Sequence, residues 1–121
     1  MSTNQAVAVE KAVEKPSLVR PTPEQQTAVP LGCIVATPGV MASVALARIT
    51  GCLLAHAGGD WGCVCDEDRH TNDVALRRGF RILSAYPIDA AQPSQGHGDN
   101  TLWMITEWDR SVTTVLLPEE Y

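Results

Sequence analysis

No stretch of this sequence approaches the roughly 18 consecutive apolar residues that cross a bilayer, because Gly, Pro, Arg or Thr interrupts each apolar run. A membrane-spanning helix is therefore not expected. Also missing is any excess of basic charge: nine Lys and Arg stand against 14 Asp and Glu, for a net charge of −5. That balance repels a phosphate backbone unless a local basic patch outweighs it, which disfavours nucleic acid as a partner. The N-terminal MSTNQAVAVEKAVEK lacks a basic segment leading into an apolar one, the signature of a secretory leader. The expected compartment is the cytoplasm, where Cys33, Cys52, Cys63 and Cys65 are thiols. Cys63 and Cys65 are in any case too close for an ordinary structural disulfide.

Residues 1–30 contain no aromatic side chain, while Pro16, Pro21, Pro23 and Pro30 punctuate a polar run in which three acids balance three bases. Such a segment buries too little apolar surface to offset its ordering entropy. The expectation is a disordered tail over 1–30, at most a frayed helix over 6–15, and one α+β domain over 31–121 that carries the whole net charge.

The domain opens on an apolar run, Leu31 to Ala36, that reads as a strand. Thr37-Pro38 follows it, an N-cap residue with proline at the first helical position. Val40, Val44, Ile49, Leu53 and Leu54 then recur at helical spacing through residue 56, with Gly51 as the point where the helix divides. Asp66 caps a helix over 67–78 with acids in its first turn, Arg77 and Arg78 in its last and Gly79 as its stop. From Phe80 the period changes to two. FRILSAY, TLWMITE and SVTTVLL are rich in β-branched and aromatic residues, and read as three strands of an antiparallel meander. A long Pro- and Gly-containing loop separates the first two, and a tight turn at 108–110 the last two. The expected fold is α+β, an N-terminal strand and two to three helices packed on that meander.

GDWG at 59–62, Glu67 and Asp68 with Asn72 four positions on, GFRILSAY at 79–86 and LWMITEWDRSVTTVLLPEEY at 102–121 are distinctive. Together they resemble a family of small bacterial proteins, often encoded on plasmids and other mobile elements and labelled plasmid-related or restriction-associated. The resemblance spans roughly 31–121 and brings no activity with it. Two positions depart from the family pattern: Ala55 stands where an arginine is expected before His56, and the loop over 87–100 is longer than in the shorter members.

HAGGDWGCVCDEDRH, residues 56–70, concentrates the candidate chemistry. His56, Cys63, Cys65 and His70 are ligand types that zinc favours, but C-x-C spacing puts the two sulfurs on opposite sides of an extended backbone. Neither a metal nor another cofactor is expected. A hydrolase reading uses His56 as general base, with Arg110, Ser111 and Thr113 supplied by the end of the meander. That combination is of the kind small metal-independent ribonucleases use for proton transfer and phosphate charge. The competing account makes His56 a cap on helix carbonyls and has the Arg110 guanidinium pair with Glu107 or Asp109 to pin its turn. Asp60 accepts backbone N–H groups in the glycine-rich turn, and the Trp61 indole covers the sheet. Trp103 alternates with Leu102 and Met104, so the middle strand carries bulky groups on both faces, and the tail, the long loop, a second copy or a partner must cover the second one. Asp60, Trp61, Trp103, Trp108 and Tyr121 are the candidate binding residues. The expected partner is an unidentified protein or a homo-oligomer.

Overall fold

The computed structural model describes residues 28–121. The elements run β1 (Cys33–Ala36), α1 (Pro38–Ser43), α2 (Leu46–Ala57), α3 (Asp66–Arg78), β2 (Ile82–Pro87), β3 (Thr101–Thr106) and β4 (Val112–Leu116), closing on a 3-10 turn over Pro118–Glu120. The class is α+β. Most of the expected tail, including the frayed helix over 6–15, lies outside the described residues. Its last positions do not behave as a tail: Ala28 and Val29 both donate their N–H groups to the Ala57 carbonyl, and the Val29 side chain is fully buried.

β2, β3 and β4 form the expected antiparallel meander, but the sheet has four strands. β1 lies parallel to β4, with Ile34 opposite Thr113 and Ala36 opposite Val115, giving the order β1-β4-β3-β2. A strand of four residues cannot persist alone, and the exposed edge of β4 supplies its ladder. The second difference concerns the helical segment, which breaks at Val44 rather than at Gly51. Val44 is extended at φ −122°, ψ 130°, which drops its β-branched side chain into the core, while Gly51 stays helical. Packing of Ile49, Cys52 and His56 against the sheet outweighs the cost of about 1 kcal/mol that a mid-helix glycine imposes. Elsewhere the local signals act as expected. The Thr37 hydroxyl accepts the Val40 N–H with Pro38 at the helix start, and Gly79 takes the left-handed conformation at φ 79° past α3. α3 starts one residue early, with Cys65 rather than Asp66 at the N-cap.

The core falls into two clusters. Tyr86, Leu102, Met104 and Val115 meet Val40, Val44, Ile49 and Cys52 of α1 and α2, while a second cluster joins Val29, Trp61, Val64, Ala75, Ile82 and Ala85. The two sheet edges are treated differently. On β2, the Asn72 side-chain amide of α3 takes both backbone groups of Leu83, donating to its carbonyl at 2.7 Å and accepting its N–H at 3.3 Å. Two residues on, Ala85 donates to Trp61 O and accepts from the Cys63 N–H. A helix side chain and a loop thereby complete the edge that a fifth strand would otherwise seek. On β1, Cys33 and Thr37 donate to Ser111 and Val115 of the β4 region, so the alternate groups, those of Ile34 and Ala36, face outward.

The β2 edge yields a test. Asn72→Ala leaves the Leu83 N–H and C=O without partners in a half-buried site, at a cost of about 1–3 kcal/mol. The melting midpoint should fall by roughly 4–8 °C for each kcal/mol, as followed by circular dichroism. An unchanged midpoint would show that the edge does not depend on this side chain.

Candidate functional site

His56 lies on the inner face of α2, wholly buried. Its Nδ1 is 2.5 Å from the Ser84 hydroxyl of β2, and its Nε2 is 2.7 Å from the Thr106 hydroxyl of β3. Thr106 in turn meets the Thr113 hydroxyl of β4 at 2.7 Å, and Thr113 donates to the Leu31 carbonyl at 2.8 Å. That last bond orders every proton in the chain. A carbonyl only accepts, so the single Thr113 proton is committed to Leu31, Thr106 must donate to Thr113, and Nε2–H must donate to Thr106. His56 is therefore the neutral Nε2–H tautomer, with Nδ1 accepting from Ser84. Burial, reinforced by the positive charge of Arg110, lowers its pKa from 6.5 to about 4. Ser84 and Thr106, which complete this relay, escaped the sequence reading. The available signal was polar side chains at the core-facing positions of two strands.

A serine hydroxyl on an imidazole held by a third group is the arrangement of an activated nucleophile. Here Ser84, His56, Thr106 and Thr113 are all fully buried, and the relay sits under α2 without an opening to solvent. The other hydrolase candidates point elsewhere. The Arg110 guanidinium donates to the backbone carbonyls of Phe80 (2.7 Å), Ala75 (3.0 Å) and Glu107 (3.1 Å). It pins the β3–β4 turn as the competing account expects, though through carbonyls rather than the Glu107 or Asp109 carboxylates. It also neutralises the C-terminal end of α3. These bonds hold Arg110 at φ 61°, an uncommon conformation for a non-glycine residue. Ser111 donates its hydroxyl and its N–H to the Asp109 carboxylate, and these bonds hold that carboxyl below its ordinary pKa. Thr113 alone of the three joins His56.

The GDWG stretch is a structural joint. Asp60 accepts the Gly62 N–H at 3.0 Å, the Asp60 carbonyl accepts the Tyr86 hydroxyl at 2.6 Å, and burial drives that phenol's pKa upward. Gly62 is obligatory: it has φ 75°, and a Cβ there would lie 1.9 Å from the Ala85 carbonyl oxygen. Trp61, expected among the binding residues, is a core residue instead. It is 2% exposed, its indole N–H donates to Asp73 at 2.9 Å, and its ring meets His56 edge-on at 6.0 Å. The metal-type ligands scatter: Cys63 donates its thiol toward Ala85 O and Ser94 Oγ, while Cys65 and His70 are exposed at the start of α3. Among the described residues, no three His, Cys, Asp or Glu side chains converge on a common point.

The remaining candidates lie at the surface. Trp103 is half-buried, donating to the Gly96 carbonyl of the long loop at 2.8 Å and packing edge-on against Tyr121 at 5.7 Å. The loop and the C-terminal residue thus share the cover of the second sheet face. Beside Trp103 runs an open cleft of about 420 Å³, bounded by Val64, Asp68, Leu83 and His97. Tyr121 is itself 67% exposed and accepts a hydrogen bond from Arg81, and Trp108 projects from its turn at 66%. Protein-family models, curated proteins and solved structures offer no match to this chain. What it can do must be read from its own surface.

That surface has one feature the sequence reading did not identify. From Met41 to Gly58 the solvent side of α1 and α2 presents Met41, Ala42, Ser43, Ala45, Leu46, Ala47, Thr50, Gly51, Leu54 and Gly58. The segment's one guanidinium, Arg48, is folded back onto the Pro87 carbonyl through two bonds. Surface helices ordinarily set charges on their outer face. This one sets none, and Leu46 and Leu54 are each 71% exposed. Among the described residues, no helix is long and apolar enough to cross a membrane.

Three expectations follow from these groups. Because the folded pKa of His56 is depressed, the unfolded chain binds a proton near pH 6.5 that the native state refuses until about pH 4. Stability is therefore greatest above pH 6.5 and falls as the pH drops toward 4, by about 3 kcal/mol from this group. Denaturant titrations of the wild type and His56→Gln between pH 7 and 4.5 should show the variant less stable at pH 7 but less sensitive to acid. Equal slopes would exclude His56 as the cause. Trp61→Ala should cost about 3–5 kcal/mol through the cavity it opens. Asp60→Ala, which removes one exposed bond, should cost nearer 1 kcal/mol.

Proposed function

We infer that this chain acts by binding a protein partner, as a small cytoplasmic interaction protein of the mobile-element type. The observation that carries this reading is the charge-free outer face of α1 and α2, where Met41, Leu46 and Leu54 stand exposed on a domain of net charge −5. Hydrating that much contiguous apolar surface is unfavourable, and a partner that covers it removes the cost. Trp108 and Tyr121 add exposed aromatic surface of the kind enriched at interface anchors. Asp60, by contrast, supports the fold through its turn. The acidic balance continues to disfavour nucleic acid, and the burial of His56 argues against the ribonuclease-like alternative built on His56 and Arg110.

Affinity purification of the tagged full-length chain from its native host separates these readings. Leu46→Glu with Leu54→Glu should abolish recovery of the captured protein, identified by mass spectrometry, while leaving the melting midpoint within about 1 °C, as expected for exposed sites. Incubation of the purified chain with RNA should produce no cleavage. Capture that survives both substitutions, or RNA cleavage lost in Arg110→Lys, would overturn the binding reading.

A further inference from the structure

We propose that the outer edge of β1 takes up an extended segment of a partner protein as a fifth strand, one that is apolar at its centre and basic at both ends. This rests on the binding reading above and names the chemistry of the partner. The sheet has two edges, and they differ. On β2, the Asn72 side chain and the backbone of Trp61 and Cys63 occupy the outward groups of Leu83 and Ala85. On β1, the outward N–H and C=O groups of Ile34 and Ala36 have no such partner among the described residues. Cys33, Ile34 and Val35 are exposed, and the strand runs in unbroken register with β4. Natural sheets block their edges with charged residues, proline or a bulge. β1 has none of these.

The edge selects its own occupant. Its free groups are directional and recur at every second residue, a spacing that an extended backbone matches and a helix does not. Ile34 and Ala36 each offer a donor and an acceptor, so an added strand gains four hydrogen bonds, and the half-exposed Val35 between them offers it an apolar contact. Charge sets the ends. Asp109 stands at the start of β1: Ser111, whose carbonyl receives the Cys33 N–H, donates its own N–H and hydroxyl to that carboxylate. Glu120 stands at the far end, where it accepts the Thr37 hydroxyl at 2.6 Å and the Leu117 N–H at 2.8 Å. These bonds hold both carboxyls below their ordinary pKa, so both are ionised at neutral pH. Neither has a cationic partner among the described residues, because Arg69 pairs with Asp66 and Arg110 is turned onto backbone carbonyls. Cys33 and Thr37 lie about 13 Å apart along an extended chain. The complementary segment therefore sets two basic residues four positions apart with apolar residues between them. A second copy of β1 does not supply them, since residues 28–47 contain no charged side chain.

The probe is the end-capped peptide Lys-Val-Thr-Val-Lys, titrated into the isotope-labelled full-length chain and followed by NMR. It should bind with a Kd of about 0.1–1 mM, the range that four backbone bonds and two exposed ion pairs allow. In the free chain the Ile34 and Ala36 amide protons should exchange rapidly with solvent, and saturating peptide should slow both about tenfold or more. The peptide with Glu in place of each Lys should bind about tenfold more weakly. Ile34→Pro removes an outward donor that β4 does not use, and Val35→Lys places a cation on the edge. Each should weaken the lysine peptide about tenfold, and Val35→Lys decides the matter if Ile34→Pro does not fold. Absence of binding, equal binding of the glutamate peptide, or binding that leaves the Ile34 and Ala36 amides unprotected overturns the proposal. So does slow exchange of these amides without peptide, which at all concentrations would mean that the chain covers its own edge, and only at high concentration that a second copy does. Host-protein capture that depends on Leu46 and Leu54 but survives Val35→Lys defeats the edge proposal and leaves the binding reading standing. If the peptide does not bind and no host protein is captured, both fail.

Discussion

The His56 imidazole sits where four parts of the chain have to meet, and its two nitrogens are the reason they meet at fixed depth. Nδ1 engages Ser84 of β2, Nε2 engages Thr106 of β3, and Thr106 passes the chain to Thr113 of β4 and to the Leu31 carbonyl ahead of β1. Burying a ring with two polar atoms is unfavourable unless both are satisfied, and a half-satisfied network is worse than an apolar core. The relay has a single consistent order of protons, so α2 cannot slide along the sheet without orphaning a donor or an acceptor. The neighbouring GDWG turn follows from the same anchor: Trp61 packs its edge against His56, and the backbone around it then closes the β2 edge through Ala85.

Arg110 performs the matching task at the other end of the sheet. Three carbonyls from α3, the following loop and its own turn hold its guanidinium, and in return the turn keeps a left-handed residue that is not glycine. The cation compensates the partial negative charge at the end of α3 and discourages protonation of His56 nearby. His56 and Arg110, the groups that resemble catalytic equipment, thus both make internal contacts that tie elements of the fold together.

Much of this fold was legible because its signals are local. Thr37-Pro38 starts a helix through capping and a preset φ, Gly79 ends one through its freedom at positive φ, and the period-two runs from Phe80 onward can bury a face only as strands. The Asp60 turn was legible for the same reason, since an Asx contact spans two residues. Of the two expectations for Trp61, the indole packed over the sheet is the one the structure bears out; at 2% exposure it leaves no surface for the binding role also expected of it. The break at Val44 was illegible. Propensity singles out Gly51, whereas the demand that Val44 fill the core arises only once the sheet is beneath it.

By itself, the sequence determined the α+β class, the order of its helices and strands, the meander and the acidic surface, each of which depends on residues a few positions apart. Tertiary structure decided the rest. It placed β1 beside β4, drew Val29 into the core, and joined Ser84 and Thr106 to a histidine 28 and 50 positions away. Among the described residues, it also left the outer side of α2 exposed. These outcomes depend on which surfaces compete for burial across the whole chain. An apolar helical stripe looks the same in sequence whether the fold turns it inward or outward, and only packing against the sheet distinguishes the His56 side of α2 from the Leu54 side.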